Sequence, residues 1–141
     1  MEVDPKKLKK IFVDTSAFIA LADQSEDHHA SLIGLVSSLP HSIKMVTTNF
    51  VLDETITRLR ALLGVDVAYD FAQKLMKLPQ YHLVTIESKI FLAALEMMKK
   101  YKDKTFSFTD CTSFVVMHSL KLQYAMSLDS DFQKAGFILI S

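Results

Sequence analysis

Four acidic residues stand out by the company they keep. Asp14 follows the apolar run Ile11, Phe12 and Val13 in IFVDTSAFIALA and precedes two hydroxyls, Thr15 and Ser16. Asp129 sits in YAMSLDSDF, two residues after Ser127. Glu54 lies in TTNFVLDETITRLR and Asp110 in FTDCTSFVVMHSL, each early in a helical pattern. Carboxylates gathered without a counter-charge repel, and one or more then takes up a proton. A divalent cation removes that conflict, and ligands that are all oxygen favour a hard ion, Mg²⁺ or Mn²⁺, over zinc. Such an ion suits phosphodiester hydrolysis, because it acidifies a water, orients a phosphate oxygen and stabilises the charge that develops. The hydroxyls of Thr15, Ser16, Thr109 and Ser127 flank the acids and are candidates to support the ion's shell.

The elements must bring these residues together. Five short apolar runs read as strands: Ile11–Val13, Ile43–Thr47, His82–Val84, Tyr124–Ser127 and Phe137–Ile140. None alternates with polar residues, as expected of a parallel sheet covered on both faces. Helical patterns at His28–Leu39, Asn49–Leu63, Val65–Leu78, Ser88–Tyr101 and Thr109–Leu120 separate them. The alternation predicts a three-layer α/β/α sandwich around a parallel five-stranded sheet. In such sheets ligands bind beyond the carboxyl ends of the strands. Asp14 and Asp129 directly follow strands there, while Glu54 lies early in, and Asp110 opens, helices that begin at that rim. This placement requires residues 101–108 to climb back along a helix of about 21 Å, within the reach of about 26 Å of a nearly straight connector.

Each acid also has a purely structural reading. Asp14 and Asp110 stand where N-caps and first-turn acids belong. Glu54 has Arg58 four residues on, an ordinary helical ion pair. Asp129 suits a turn or a cap before Ser130–Ala135. The metal reading gains because all four structural readings would have to coincide at one edge. Asp53 and Glu54 point about 100° apart, so only one faces the rim; Glu54 continues the line from Val51. Asp131 is either a fifth ligand or a solvated acid.

The motifs then match a family. VDTSAFIA, TTNFVLDETITRL, FTDC and SLDSDF resemble, in order and spacing, the PIN-domain family, and above all the VapC-like ribonuclease toxins of toxin–antitoxin pairs. The resemblance spans essentially the whole chain, 1–141, as one PIN-like nuclease domain with a basic lead-in at 1–9. It implies a Mg²⁺- or Mn²⁺-dependent endoribonuclease whose acidic quartet falls on Asp14, Glu54, Asp110 and Asp129. It also implies a homodimer, silenced by a small antitoxin whose tail enters the acidic groove. Ser127 stands where the family usually has threonine, which keeps the hydroxyl. Two alternatives carry the same resemblance: an RNA-processing PIN nuclease without an antitoxin, and a non-catalytic PIN-like module that binds RNA or a partner. A small-molecule phosphatase shares the acid edge but lacks an evident nucleophile or cap.

Composition narrows the setting. Lys and Arg number 16, as do Asp and Glu, so nucleic-acid binding has to be local. Half of the 141 residues are apolar, and mean hydropathy is +0.21, which suggests surface buried against another subunit. One cysteine, Cys111, excludes a disulfide scaffold, and no apolar run reaches the ~20 residues of a membrane span. The expectation is a cytoplasmic domain without signal peptide or membrane anchor. For the RNA backbone the candidates are Arg58 and Arg60, with Lys102 and Lys104 on the connector beside Tyr101. Lys6, Lys7, Lys9 and Lys10 precede the first strand, at the end away from the acids, and read as solvated. His28 and His29 help start a helix, Cys111 is a core residue, and Met97, Met98 and Met117 fill core or dimer contacts. No glycine-rich phosphate loop is present.

Overall fold

Ile11, Phe12 and Val13 have no solvent exposure and form the central strand, β1 (Lys10–Val13). The structure is a computed structural model that describes residues 8–141; Lys6 and Lys7 of the basic lead-in lie outside the described residues. Strands β2 (Lys44–Thr48), β3 (Tyr81–Val84), β4 (Tyr124–Met126) and β5 (Ile138–Ile140) complete a sheet ordered β3-β2-β1-β4-β5. Every pairing is parallel. The helices are α1 (Thr15–Ala22), α2 (His29–Ser38), α3 (Asn49–Leu63), α4 (Val65–Lys77), α5 (Ser88–Lys100), α6 (Phe108–Ser119) and α7 (Asp131–Lys134).

From β1 the chain steps outward through β2 to β3, then returns past β1 to β4 and β5. Right-handed crossovers therefore place α1–α4 on one face and α5–α7 on the other. Aromatic residues seal both layers. Phe18 packs on Phe71 and Tyr81, with centroids 5.4 and 6.0 Å away. On the other side Phe114 meets Phe106 and Phe132 edge-on at 5.0 Å each, and Phe132 reaches Phe12 of β1 at 6.1 Å. The order reverses between β1 and β4, so the crevice of this sheet opens at their carboxyl ends. Asp14 and Asp129 follow those two strands.

The predicted sandwich is present, with three local differences. Helix α1 is missing from the predicted helices because TSAFIALA is apolar all round; Thr15, Ala17, Phe18, Ile19 and Ala20 are buried, so no polar face marks the helical period. β3 is an edge strand whose His82 and Leu83 are exposed, so continuous coverage of the sheet ends there. The connector after α5 does not run straight: Lys104 N–H donates to the Tyr101 carbonyl at 2.8 Å, and the Tyr101 ring rests 5.8 Å from that of Phe106. The first turns of α5 and α6 nevertheless meet, with Phe91 and Phe108 4.8 Å apart.

Candidate metal centre at the carboxyl rim

Asp14 occupies the N-cap position of α1, yet its side chain makes no cap hydrogen bond. It is clamped by two serines instead. Ser16 and Ser127 hydroxyls both donate to Asp14 Oδ2 at 2.9 Å. Each hydroxyl has one hydrogen, so the 3.2 Å approach between the two Oγ atoms is a contact rather than a third bond. As acceptors, Ser16 Oγ takes the Leu128 N–H at 2.9 Å and Ser127 Oγ the Asp129 N–H at 3.0 Å. Every lone pair and proton so used ties the end of β1 to the loop after β4. Asp14 is 6% exposed, and this burial pushes its carboxyl pKa up, against the pull of the two serine hydrogen bonds.

Asp110, Asp129 and Asp131 form the tightest group, each offering a carboxylate oxygen within 4.8 Å of the others. Helix α6 supplies Asp110 through a capping box: Ser107 Oγ accepts from Asp110 N–H at 3.0 Å, and Asp110 Oδ2 accepts from Ser107 N–H at 3.2 Å. That bond leaves the other oxygen uncommitted. Burial first, and then the charges of Asp14 and Asp129, raise the Asp110 pKa to about 7. Asp129 Oδ1 accepts from Asp131 N–H at 2.9 Å, the Asx turn that starts α7. Asp131 Oδ1 has Lys134 Nζ at 3.5 Å.

Glu54 reaches the same rim from α3. Its neighbour Asp53 is exposed, whereas Val51, Leu52 and Thr55 are buried, so the helix turns Glu54 inward and Asp53 out. Desolvation raises the Glu54 pKa, and the nearby charges of Asp14 and Asp129 raise it further. Arg58 Nη1 lies 4.0 Å from Glu54 Oε1, so the structural ion pair and the rim placement coexist.

The four acids inferred from sequence all border this rim, and Asp131 joins them. Asp131, left open between ligand and solvated acid, belongs to the closest group, while Asp14 and Glu54 stand beside it and couple by charge. The serines bind Oδ2 of Asp14, and Arg58 lies beside Glu54. Among the flanking hydroxyls, Ser16 and Ser127 touch Asp14. Thr15 does not: its Oγ1 donates to the Val51 carbonyl at 3.4 Å and fastens α1 to α3. Thr109 contributes its carbonyl to Thr112 Oγ1 at 2.6 Å, and among the described residues its hydroxyl bonds to no acid. Lys102 and Lys104 follow the last turn of α5, a helix about 20 Å long that starts near the rim. The turn at Tyr101 keeps them toward the far end, and Lys104 pairs with Asp103 at 3.4 Å. Lys134, the cation nearest Asp131, went unnoticed in the sequence; its signal was the helical spacing of three residues.

Oxygen donors alone converge here, with neither His nor Cys in the group, and such a donor set fits a hard divalent cation. Comparison with known proteins agrees with the architecture. Residues 11–138 match the PIN domain family. The chain is 34% identical over 129 residues to the 23S rRNA-specific endonuclease VapC20 of Mycobacterium tuberculosis, covering 91% of this chain and 95% of the relative. The crystal structure of that protein, described as a Sarcin-Ricin loop cleaving toxin, superposes with a TM-score of 0.84 at 31% identity, covering 91% of this chain and 96% of that one. A VapC ribonuclease of Archaeoglobus fulgidus is 29% identical over 127 residues, 85% of this chain and 77% of the relative. DNA-bound VapBC from Salmonella typhimurium shares the fold, with a TM-score of 0.64 at 12% identity, covering 94% of this chain and 97% of that one.

Proposed function

This chain belongs to the PIN-domain family, and from that premise we propose that it is a divalent-metal-dependent endoribonuclease acting as the toxin of a toxin–antitoxin pair. The observation that carries the reading is the convergence of Asp110, Asp129 and Asp131 oxygens beside a serine-clamped Asp14 at the sheet's switch point. Bound there, Mg²⁺ or Mn²⁺ would acidify a water and offset charge on the phosphate. Asp110, Asp129, Asp131 and Asp14 would hold the ion, with Glu54 beside them. Ser16 and Ser127 fix the Asp14 rotamer, so its carboxylate is set before substrate arrives. Glu54, with a raised pKa, is suited to accept a proton from the attacking water. Arg58, exposed and paired with Glu54, would be available to the scissile strand's phosphates only once a cation neutralises the rim.

The 23S rRNA target of VapC20 makes large ribosomal RNA the first substrate to test. The nuclease unit spans residues 11–138, and the cytoplasm is its expected place of action. No helix among the described residues is long and apolar enough to cross a membrane. A second copy of this chain covers the apolar face of α5, where Phe91, Leu92, Leu95 and Met98 recur at helical spacing and are exposed. A small antitoxin protein is the expected silencing partner.

The deciding experiment compares the wild type with Asp14→Asn for Mn²⁺-stimulated cleavage of ribosomal RNA, with and without EDTA. Cleavage is expected to vanish in the variant and in EDTA while the circular dichroism spectrum is kept. Undiminished cleavage by a folded variant would remove the assignment.

A further inference from the structure

The opposite end of the sheet gathers charge of the other sign. Lys10 and Lys44 are Cα partners in the β1–β2 register, so their side chains leave one face from strands about 4.8 Å apart. Both are exposed. Lys44 N–H donates to the Lys9 carbonyl at 3.0 Å, which brings a third lysine to the same edge. Lys121, just before β4, shares a cavity of about 320 Å³ with Lys9 and Lys10. An adjoining cavity of about 370 Å³ runs from Lys10 and Lys44 to His82 on β3. None of these lysines takes part in an ion pair among the described residues. In-register like charges oppose each other, and an anion between them removes the opposition.

Lys121 supplies an independent observation. It is the one non-glycine residue at positive φ, 55°, among the described residues. Lys121 N–H donates to the His118 carbonyl and Leu122 N–H to the Met117 carbonyl at 2.8 Å, the Schellman closure of α6. Glycine takes that position without steric cost. A lysine kept there, at the mouth of a lysine-lined cavity, is strain located where a ligand contact would use it.

We propose that this amino-terminal edge is a phosphate-backbone site that holds the RNA substrate at a distance from the cutting centre; it rests on the nuclease reading above. Net charge is zero, so nothing global draws RNA in. The acid rim repels it, and the nearby cations Arg58 and Lys134 already face Glu54 and Asp131. Affinity must come from elsewhere, and these lysines provide it. Lys10 lies four positions before Asp14 along β1, about 13 Å away, and over the covering helices the path is about 20 Å, roughly six steps of a stacked strand at about 3.4 Å. One structured RNA spans both ends.

Binding of a fluorescent RNA hairpin, followed by anisotropy in EDTA at several salt concentrations, tests this without cleavage. For Lys10→Gln/Lys44→Gln/Lys121→Gln the Kd is expected to rise about tenfold and the salt slope to fall by about two to three, close to one for each of the three lost phosphate contacts. Lys121→Gly, which relieves the strained turn, is expected to raise Tm by about 3 °C and yet weaken RNA binding. Unchanged Kd and salt slope in the folded triple variant overturn the proposal. So does retained RNA binding with lost binding of polyglutamate, which would assign the edge to an acidic protein. Because EDTA silences the metal chemistry, weakened binding here stands even if the Asp14→Asn comparison shows no nuclease. Normal cleavage with unchanged binding sinks this proposal alone.

Discussion

At the carboxyl end of the sheet the fold crowds Asp14, Glu54, Asp110, Asp129 and Asp131; at the amino end it crowds Lys9, Lys10, Lys44 and Lys121. The two ends carry like-charge conflicts of different weight. Asp14 and Asp110 are buried, and for Asp110 that desolvation first, then the charges of Asp14 and Asp129, raises the pKa to about 7. The lysines are exposed, and water absorbs most of their repulsion. A buried cluster therefore has to be resolved by a proton or a cation, whereas an exposed one only gains from an anion. That difference sets the size of every effect expected at each end.

Removing a carboxylate from the rim should have the largest consequence. Asp129→Asn is expected to lower the Mn²⁺-dependent rate by on the order of 10³, read as initial rates on ribosomal RNA, against about tenfold for the lysine edge. If both ends lost activity equally, the distinction between cutting and holding would collapse.

The clamp comes next. Ser16→Ala/Ser127→Ala removes two charge-assisted bonds from a buried carboxylate and should lower unfolding free energy by about 2–4 kcal/mol in urea titrations at neutral pH. A loss below about 0.5 kcal/mol would mean that the serines merely accompany Asp14.

A smaller effect follows from protonation. The folded state holds the Asp110 proton more tightly than the unfolded chain, whose aspartate titrates near 3.8. Stability from this group is thus full below pH 3.8 and lost as pH rises through about 7. In EDTA the Tm should therefore fall between pH 5 and pH 8 by a few degrees, roughly the response of a small domain to 1–2 kcal/mol. Asp110→Asn should flatten that fall, and Mn²⁺ should reverse it. A Tm rising over the same interval would contradict the crowding.

The least effect is expected from Lys10→Gln alone. It relieves one in-register repulsion and should change stability by a few tenths of a kcal/mol at low salt. A loss above about 1 kcal/mol would show that Lys10 holds the fold together rather than facing solvent.

Much of the site could be read along the chain, for identifiable reasons. Ile11–Val13 running into Asp14 announces a buried strand ending in a carboxylate, and FTDC and SLDSDF mark two further acids. Helical periodicity separated Glu54 from Asp53. Helix α1 escaped because its sequence has no polar face, and the turn at Tyr101–Lys104 escaped because nothing in KKYKDK announces it. Lys102 and Lys104 accordingly fell at the wrong end.

Local chemistry in the sequence determined which residue types were available: apolar runs for a covered parallel sheet, acids at strand ends, hydroxyls beside them. Only the tertiary structure decided the distances. Ser16 and Ser127 stand 111 positions apart, and no periodicity connects them. The β1–β4 pairing brings both onto one oxygen of Asp14. The same holds for Lys10 and Lys44, which became neighbours through strand register. Hydrogen bonding and electrostatic repulsion act over a few ångströms, so partners distant in the chain acquire their energies only once the sheet is built.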